Sequence, residues 1–164
     1  MIRSRAQRRW LNLAGVGIIG LLMGYAYFAQ YVQGYNPCPL CWFQRFEMVA
    51  LAAVLLVSGL HAPAAWGARV YAVFAVLVAG IGAFTSGWHV YVQYTPNPPA
   101  CLGDLAIVFE YNPFFEAVQR VFENAGDCTD IDWSFLGLSM PSWVFLWFVG
   151  LGVYSVAINW RRVR

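Results

Sequence analysis

The stretch NPCPLCWFQRFEMVALAAVLLVSGL runs from Asn36 to Leu60 and has two unlike parts. It opens on a C-x-x-C flanked by prolines and closes on an apolar run. No charge falls between Glu47 and Arg69. A charge in hydrocarbon costs several kcal/mol on insertion scales, so long charge-free gaps mark membrane spans. The same test applied outward finds gaps from Arg9 to Arg45, Arg69 to Asp104 and Asp132 to Arg161. Spans are expected at roughly 10–32, 43–60, 70–94 and 141–160, each near the ~20 residues that a bilayer requires. The fold class is therefore an all-α membrane protein, a four-transmembrane-helix bundle. It forms one integral membrane domain over 1–164, with two outward loops at about 33–42 and 95–140.

Composition excludes the other classes. Of the 164 residues, 60% are hydrophobic and 11% charged, against about 45–50% and about 25% in soluble domains. Disorder needs the opposite balance, and the scattered arginines form no dense basic patch for nucleic acid. The arginines also orient the bundle, because positive charge resists translocation. Arg3, Arg5, Arg8, Arg9, Arg69, Arg161, Arg162 and Arg164 fall on one side. Arg45 and Arg120 fall on the other with all eight acids, Glu47, Asp104, Glu110, Glu116, Glu123, Asp127, Asp130 and Asp132. Both termini and the loop from His61 to Ala68 are expected to be cytoplasmic. A cleaved leader over residues 1–26 is the competing reading. Against it, the first apolar stretch runs for 23 residues, beyond the usual h-region of about 7–15. Aromatics near the span edges, Trp10, Tyr31, Trp42, Trp66, Tyr94 and Trp160 among them, suit interfacial belts of intact helices.

All four cysteines, Cys38, Cys41, Cys101 and Cys128, lie outward, two in each loop. In an oxidising compartment such pairs exist as disulfides; three connectivities are open, of which pairing within each loop is the simplest. Cys38 and Cys41 sit where the second helix begins, and free amides at a helix N-terminus favour a thiolate. Arg45 lies one turn beyond Cys41 and would add to that stabilisation. A thiolate is the species that attacks disulfides, and a small strained loop makes an exchangeable bridge rather than a useful staple. Zinc is disfavoured by the spacing, since Cys101 and Cys128 are too far along the chain for a compact ribbon or finger.

Cys101 follows a proline-rich strap, Thr95-Pro96-Asn97-Pro98-Pro99-Ala100, that cannot be regular helix. Beyond it, a short interfacial helix is expected from Pro113 to near Gly126, capped by Asn112. Phe114, Phe115, Val118, Val121 and Phe122 form its apolar face, and Glu116 and Arg120 pair at i, i+4 on the other. It would lie on the membrane surface or pack on protein. For Cys101 and Cys128 alone, a structural bridge contributing about 3 kcal/mol is the competing reading. The neighbouring pair favours exchange in series.

These residues resemble the disulfide bond formation protein B (DsbB) family of bacterial inner membranes. The resemblance covers nearly the whole chain, through the four spans, Cys38-Pro39-Leu40-Cys41 with Arg45 behind it, and Gly126-Asp127-Cys128 followed by the segment from Trp133 to Trp143. What it implies is a membrane thiol:quinone oxidoreductase that sustains disulfide bond formation. By the same resemblance, Cys101 is attacked by a reduced DsbA-like periplasmic thioredoxin-fold protein, and Cys128 is its pair. Electrons pass to Cys38 and Cys41, with Cys41 beside a bound quinone (ubiquinone or menaquinone) and the respiratory quinone pool beyond. Arg45 matches the family's quinone-contacting arginine. His89 aligns with a family histidine and is a candidate quinone donor, against a plain hydrogen-bonded interfacial role. Glu47 either handles protons or pairs with Arg45, and His61 reads as an ordinary loop residue. Gln44 departs from the acid found in the best-known member, which weakens a proton relay there. Two other readings compete: a four-helix scaffold whose outward disulfides only hold loops, and a vitamin K epoxide reductase-like quinone reductase. The latter should carry its active-site pair at a late helix rather than the second.

Overall fold

The computed structural model describes residues 4–96, 105–131 and 133–160. In chain order the helices are α1 (Arg5–Tyr31), α2 (Pro39–His61), α3 (Ala65–Gln93), α4 (Leu105–Tyr111), α5 (Phe114–Glu123) and α6 (Met140–Asn159). A 3₁₀ turn covers Gly126–Cys128, and strands β1 (Ser134–Phe135) and β2 (Leu138–Ser139) form a hairpin before α6. Helices α1, α2, α3 and α6 are each long and apolar enough to cross a membrane. α1, α2 and α3 start before their charge gaps, at Arg5, Pro39 and Ala65, and end inside them, whereas α6 lies wholly within its gap. Ser4 caps α1 by accepting the Gln7 N–H at 3.1 Å. Pro39 sits in the first turn of α2, where its missing N–H leaves no bond unmade.

The two connections at the cysteine end of α1 and the opposite end of α2 use left-handed residues. Gly34, at φ +79°, reverses the chain after α1 so that the Tyr35 N–H bonds back to Ala29 O at 3.1 Å. Ala62 closes α2 at φ 43° and bonds back to Ser58 O at 3.0 Å. The β-hairpin turns through Leu136 and Gly137, both at positive φ, as a two-residue primed turn requires.

α3 packs most extensively on α6 and also on α2, while α1 completes the bundle against α2. Lipid tails are as apolar as leucine, so helices associate through close packing and interhelical hydrogen bonds. α3 supplies a stripe of small buried residues, Ala68, Ala72, Ala75, Ala79, Gly82 and Ser86. Gly152 of α6 sits against Ala79, and the Phe148 ring lies over Gly82. Ile19, Met48, Leu51 and Leu55 fill the centre with Phe148 and Leu151. At the end bearing the termini a buried polar layer ties three helices. Asn12 and Asn159 exchange side-chain hydrogen bonds at 3.1 and 3.0 Å, Ser58 of α2 donates to Asn159 Oδ1 at 3.4 Å, and Arg8 donates to Pro63 O.

The segment between α3 and α6 is richer than its sequence suggested. α4 and the hairpin are additional elements, and α5 runs only from Phe114 to Glu123. Asn112 does not cap it; its amide instead donates to Val108 O at 2.8 Å and closes α4. The expected i, i+4 pair forms, with Arg120 at 2.9 Å from Glu116. The apolar face divides, however: Ala117 and Val121 are buried against the bundle, whereas Phe114 and Phe115 are exposed. Phe122 stacks on Phe84 of α3 and meets Phe43 of α2 edge-on, which holds α5 over the cysteine end.

A methyl at Gly82 would fall into the Phe148 ring, whereas at Gly80 it meets nothing within 4 Å. Gly82→Ala is therefore expected to destabilise the bundle by about 1–3 kcal/mol, with Gly80→Ala near neutral. Unfolding of both variants in mixed micelles measures the difference; equal stabilities would refute the close α3–α6 contact.

Candidate active site

The start of α2 makes the site. Cys38 is the N-cap, in extended backbone as a residue before proline prefers, and Cys41 follows one turn inside the helix. This brings their sulfurs to 3.1 Å, about 1 Å more than a disulfide bond. The 3₁₀ turn after α5 delivers Cys128, which is 1% exposed and packed among Leu40, Val92, Val121 and Ala125. Cys38 Sγ, Cys128 Sγ and a ring nitrogen of His89 all lie within 4.8 Å of one another. The two loops therefore meet at Cys38, and a bridge from Cys38 to Cys128 is within reach as well as one from Cys38 to Cys41. Cys101 lies outside the described residues.

His89 faces the sulfurs. Its Nε2 is 3.7 Å from Cys38 Sγ, and its Nδ1 is 3.1 Å from the Gln44 side-chain amide. Both side chains are buried, His89 at 2% and Gln44 at 5% exposure. Gln44, which stood out in the sequence only as a departure from an acid, thus fixes the imidazole ring. The signal that could have found this contact, an α2–α3 pairing, is not local.

The N-terminus of α2 does not make a thiolate of Cys38. Its thiol is pushed up to about 12, first by the hydrogen bond with Cys128 and then by burial, while the bond with Cys41 acts the other way. A sulfur enclosed by other thiols shares protons with them and gains little from a helix terminus.

Arg45 turns toward α1. It donates to the Gln30 side chain and to Ala26 O, and its guanidinium sits 5.0 Å from the Tyr27 ring and 5.1 Å from Trp42. Glu47 does not pair with it, contrary to one of the two expectations. Its carboxylate faces α3 and accepts from Thr85 at 2.7 Å, on a different side of α2. His61 ends α2 with Nδ1 3.0 Å from the Tyr71 hydroxyl, away from the site.

Between α1, α2 and α6 opens a cavity of about 380 Å³. Cys38, Cys41, Cys128 and His89 line one side and Arg45 another, with Leu22, Met23, Met48 and Val144 among the apolar walls. Soft nucleophiles, an imidazole and a cation thus face one mostly apolar chamber. Such a chamber can pass electrons between sulfurs and hold a flat apolar acceptor with polar edges.

The comparisons agree with this chemistry. A family model described as Disulfide bond formation protein DsbB matches residues 8–158. Disulfide bond formation protein B of Nitrosococcus oceani is 37% identical over 162 residues, covering 98% of this chain and 94% of that protein. The protein of the same name from Methylococcus capsulatus is 38% identical over 154 residues, covering 93% and 94%. That from Xanthomonas axonopodis pv. citri is 43% identical over 146 residues, covering 87% and 85%. With the four spanning helices and the clustered cysteines, they establish that the chain belongs to the DsbB family, multi-pass membrane oxidoreductases of disulfide bond formation.

Proposed function

We propose that the protein is a thiol:quinone oxidoreductase of the bacterial inner membrane that reoxidises a DsbA-like periplasmic dithiol protein. The termini face the cytoplasm and the cysteines the periplasm, in keeping with Arg5, Arg8, Arg9 and Arg69 at one end of the bundle. The observation that carries the reading is the meeting of Cys128 with Cys38 and Cys41 on the wall of a chamber that also holds Arg45.

The chain's own part is a sequence of thiol–disulfide exchanges. A partner thiolate attacks Cys101 in a Cys101–Cys128 bridge, forming a mixed disulfide and releasing Cys128 as a thiolate. Cys128 then attacks Cys38; the Cys38–Cys128 bond forms, the Cys38–Cys41 bond breaks, and Cys41 leaves as the thiolate. His89, beside both Cys38 and Cys128, can donate a hydrogen bond to sulfur as negative charge moves between them. The second partner thiol resolves the mixed disulfide, so the partner leaves oxidised and two electrons remain on this chain.

The chamber fits a quinone. Leu22, Met23, Met48 and Val144 offer apolar walls, while Arg45 and Gln44 offer donors for carbonyl oxygens. A bound quinone supplies a two-electron, two-proton acceptor. Arg45 would hold it beside Cys41 and stabilise negative charge there, a role within reach of its half-buried guanidinium once one of its α1 partners is exchanged.

Purified protein with reduced partner and added quinone tests the reading by quinone absorbance. Cys41→Ser or Cys101→Ser is expected to abolish quinone reduction while the folded protein stays in the micelle. If both variants still turn over, the relay is wrong. Without quinone, no more than about two partner dithiols per molecule should be oxidised, because two disulfides hold four electrons. Arg45→Met keeps the packing against Tyr27 and Trp42 but removes the charge. A charged hydrogen bond is worth about 1.5–3 kcal/mol, so the quinone KM should rise about tenfold or more with a smaller change in kcat. An unchanged KM would remove Arg45 from the quinone site.

A further inference from the structure

We propose that the reduced protein binds one zinc-class divalent cation through Cys38 Sγ, His89 Nε2 and Cys128 Sγ. The separation of these residues along the chain argued against a zinc site, but the fold removes that objection. The three donor atoms lie within 4.8 Å of one another, and Cys38 Sγ is 3.7 Å from His89 Nε2. With bonds of about 2.3 Å to sulfur and about 2.0–2.1 Å to nitrogen, donors around a tetrahedral ion stand about 3.5–3.8 Å apart. Closing the triangle therefore takes shifts of an ångström or less, within the freedom of side chains at a loop and a helix end.

Charge and surroundings favour the ion. Two thiolates and a neutral imidazole balance a divalent cation, so the bound set is neutral where Leu40, Val92, Val121 and Ala125 exclude water. Gln44 supplies the outer support that zinc histidines usually have. A half-turn of its amide brings Oε1 to His89 Nδ1–H, the tautomer that leaves the Nε2 lone pair free for metal. The ion's fourth position faces the cavity, where Cys41, 3.1 Å from Cys38, or a water can complete it. Entry is from the same cavity, which all four of these side chains line.

Binding is confined to one redox state. Cys38 and Cys128 offer thiolates only when neither is in a disulfide, so capture occurs when electrons have filled the site and found no exit. An ion held there occupies both sulfurs that must exchange, and so stalls the enzyme. This last consequence rests on the relay proposed above; the binding itself does not.

The test is anaerobic titration of the reduced full-length chain in detergent with Co²⁺, without partner or quinone. Expected are a thiolate-to-cobalt charge-transfer band and four-coordinate d–d bands saturating at one ion per chain, displaced by Zn²⁺ and absent from the oxidised protein. Cys128→Ser and His89→Ala should each weaken affinity at least tenfold. Gln44→Leu, which leaves every ligand in place, should weaken it about ten- to a hundredfold, and Gln44→Glu should preserve it. In the unaltered chain, Zn²⁺ should protect Cys38 and Cys128 from alkylation, together with Cys41 where it completes the ion, while Cys101 stays reactive. Absence of the bands, bands that survive both ligand substitutions, or Zn²⁺ that protects Cys101 as fully as Cys38 and Cys128 each overturn the site. If the ion binds as described but does not slow turnover, the relay reading fails and the metal site stands.

Discussion

Hydrocarbon offers helices no gain from burying apolar surface, so this bundle depends on how closely α3 and α6 approach. The stripe from Ala68 to Ser86 on α3 removes side-chain bulk along one face, and Gly152 does the same on α6. Backbones can then come near enough for dispersion to act over many atoms, with Phe148 filling the one deep notch above Gly82. The approach has a consequence for chemistry. The face of α3 that carries Gly82 and Ser86 carries His89 one turn on. Fixing the helix pair fixes the imidazole against Gln44 of α2 and the cysteine sulfurs.

The site is gathered from three kinds of structure. A helix start holds Cys38 and Cys41, a rigid membrane helix holds His89, and a loop carried by an amphipathic helix brings Cys128. α5 is anchored through Phe122 and Val121 but leaves Phe114 and Phe115 outside, and those rings suit contact with the lipid headgroup region. In the proposed relay the partner meets the loop cysteines while the acceptor lies among the helices.

Burial also decides how the thiols behave. Enclosure among like groups holds the Cys38 proton on its sulfur, against the pull of the helix terminus. The same enclosure places two sulfurs and an imidazole at metal-ligand spacing. The proposed exchange and the proposed ion capture therefore draw on one geometry, with the redox state selecting between them.

Much of the architecture could be read along the chain. Charge-free gaps found the four spans because hydrocarbon penalises every unpaired charge in the same way, wherever its neighbours are. The C-x-x-C before a proline-started helix is equally local, as is the Glu116–Arg120 pair. Other features could not be read this way. Asn112 and the ends of α5 were misjudged because a cap competes with alternative local bonds, here the one to Val108 O. Pairing with Arg45 was one of two roles open to Glu47 two residues away, yet the helix turns them toward α1 and α3 respectively. Gln44 gained its meaning only from a histidine on another helix. What the sequence alone determined was the class, the spans and the chemistry available at the cysteine end. The convergence of Cys38, Cys128 and His89, and the direction each polar side chain takes, was decided by tertiary structure. Those contacts join residues far apart in the chain, and only the packing of whole helices sets their distances.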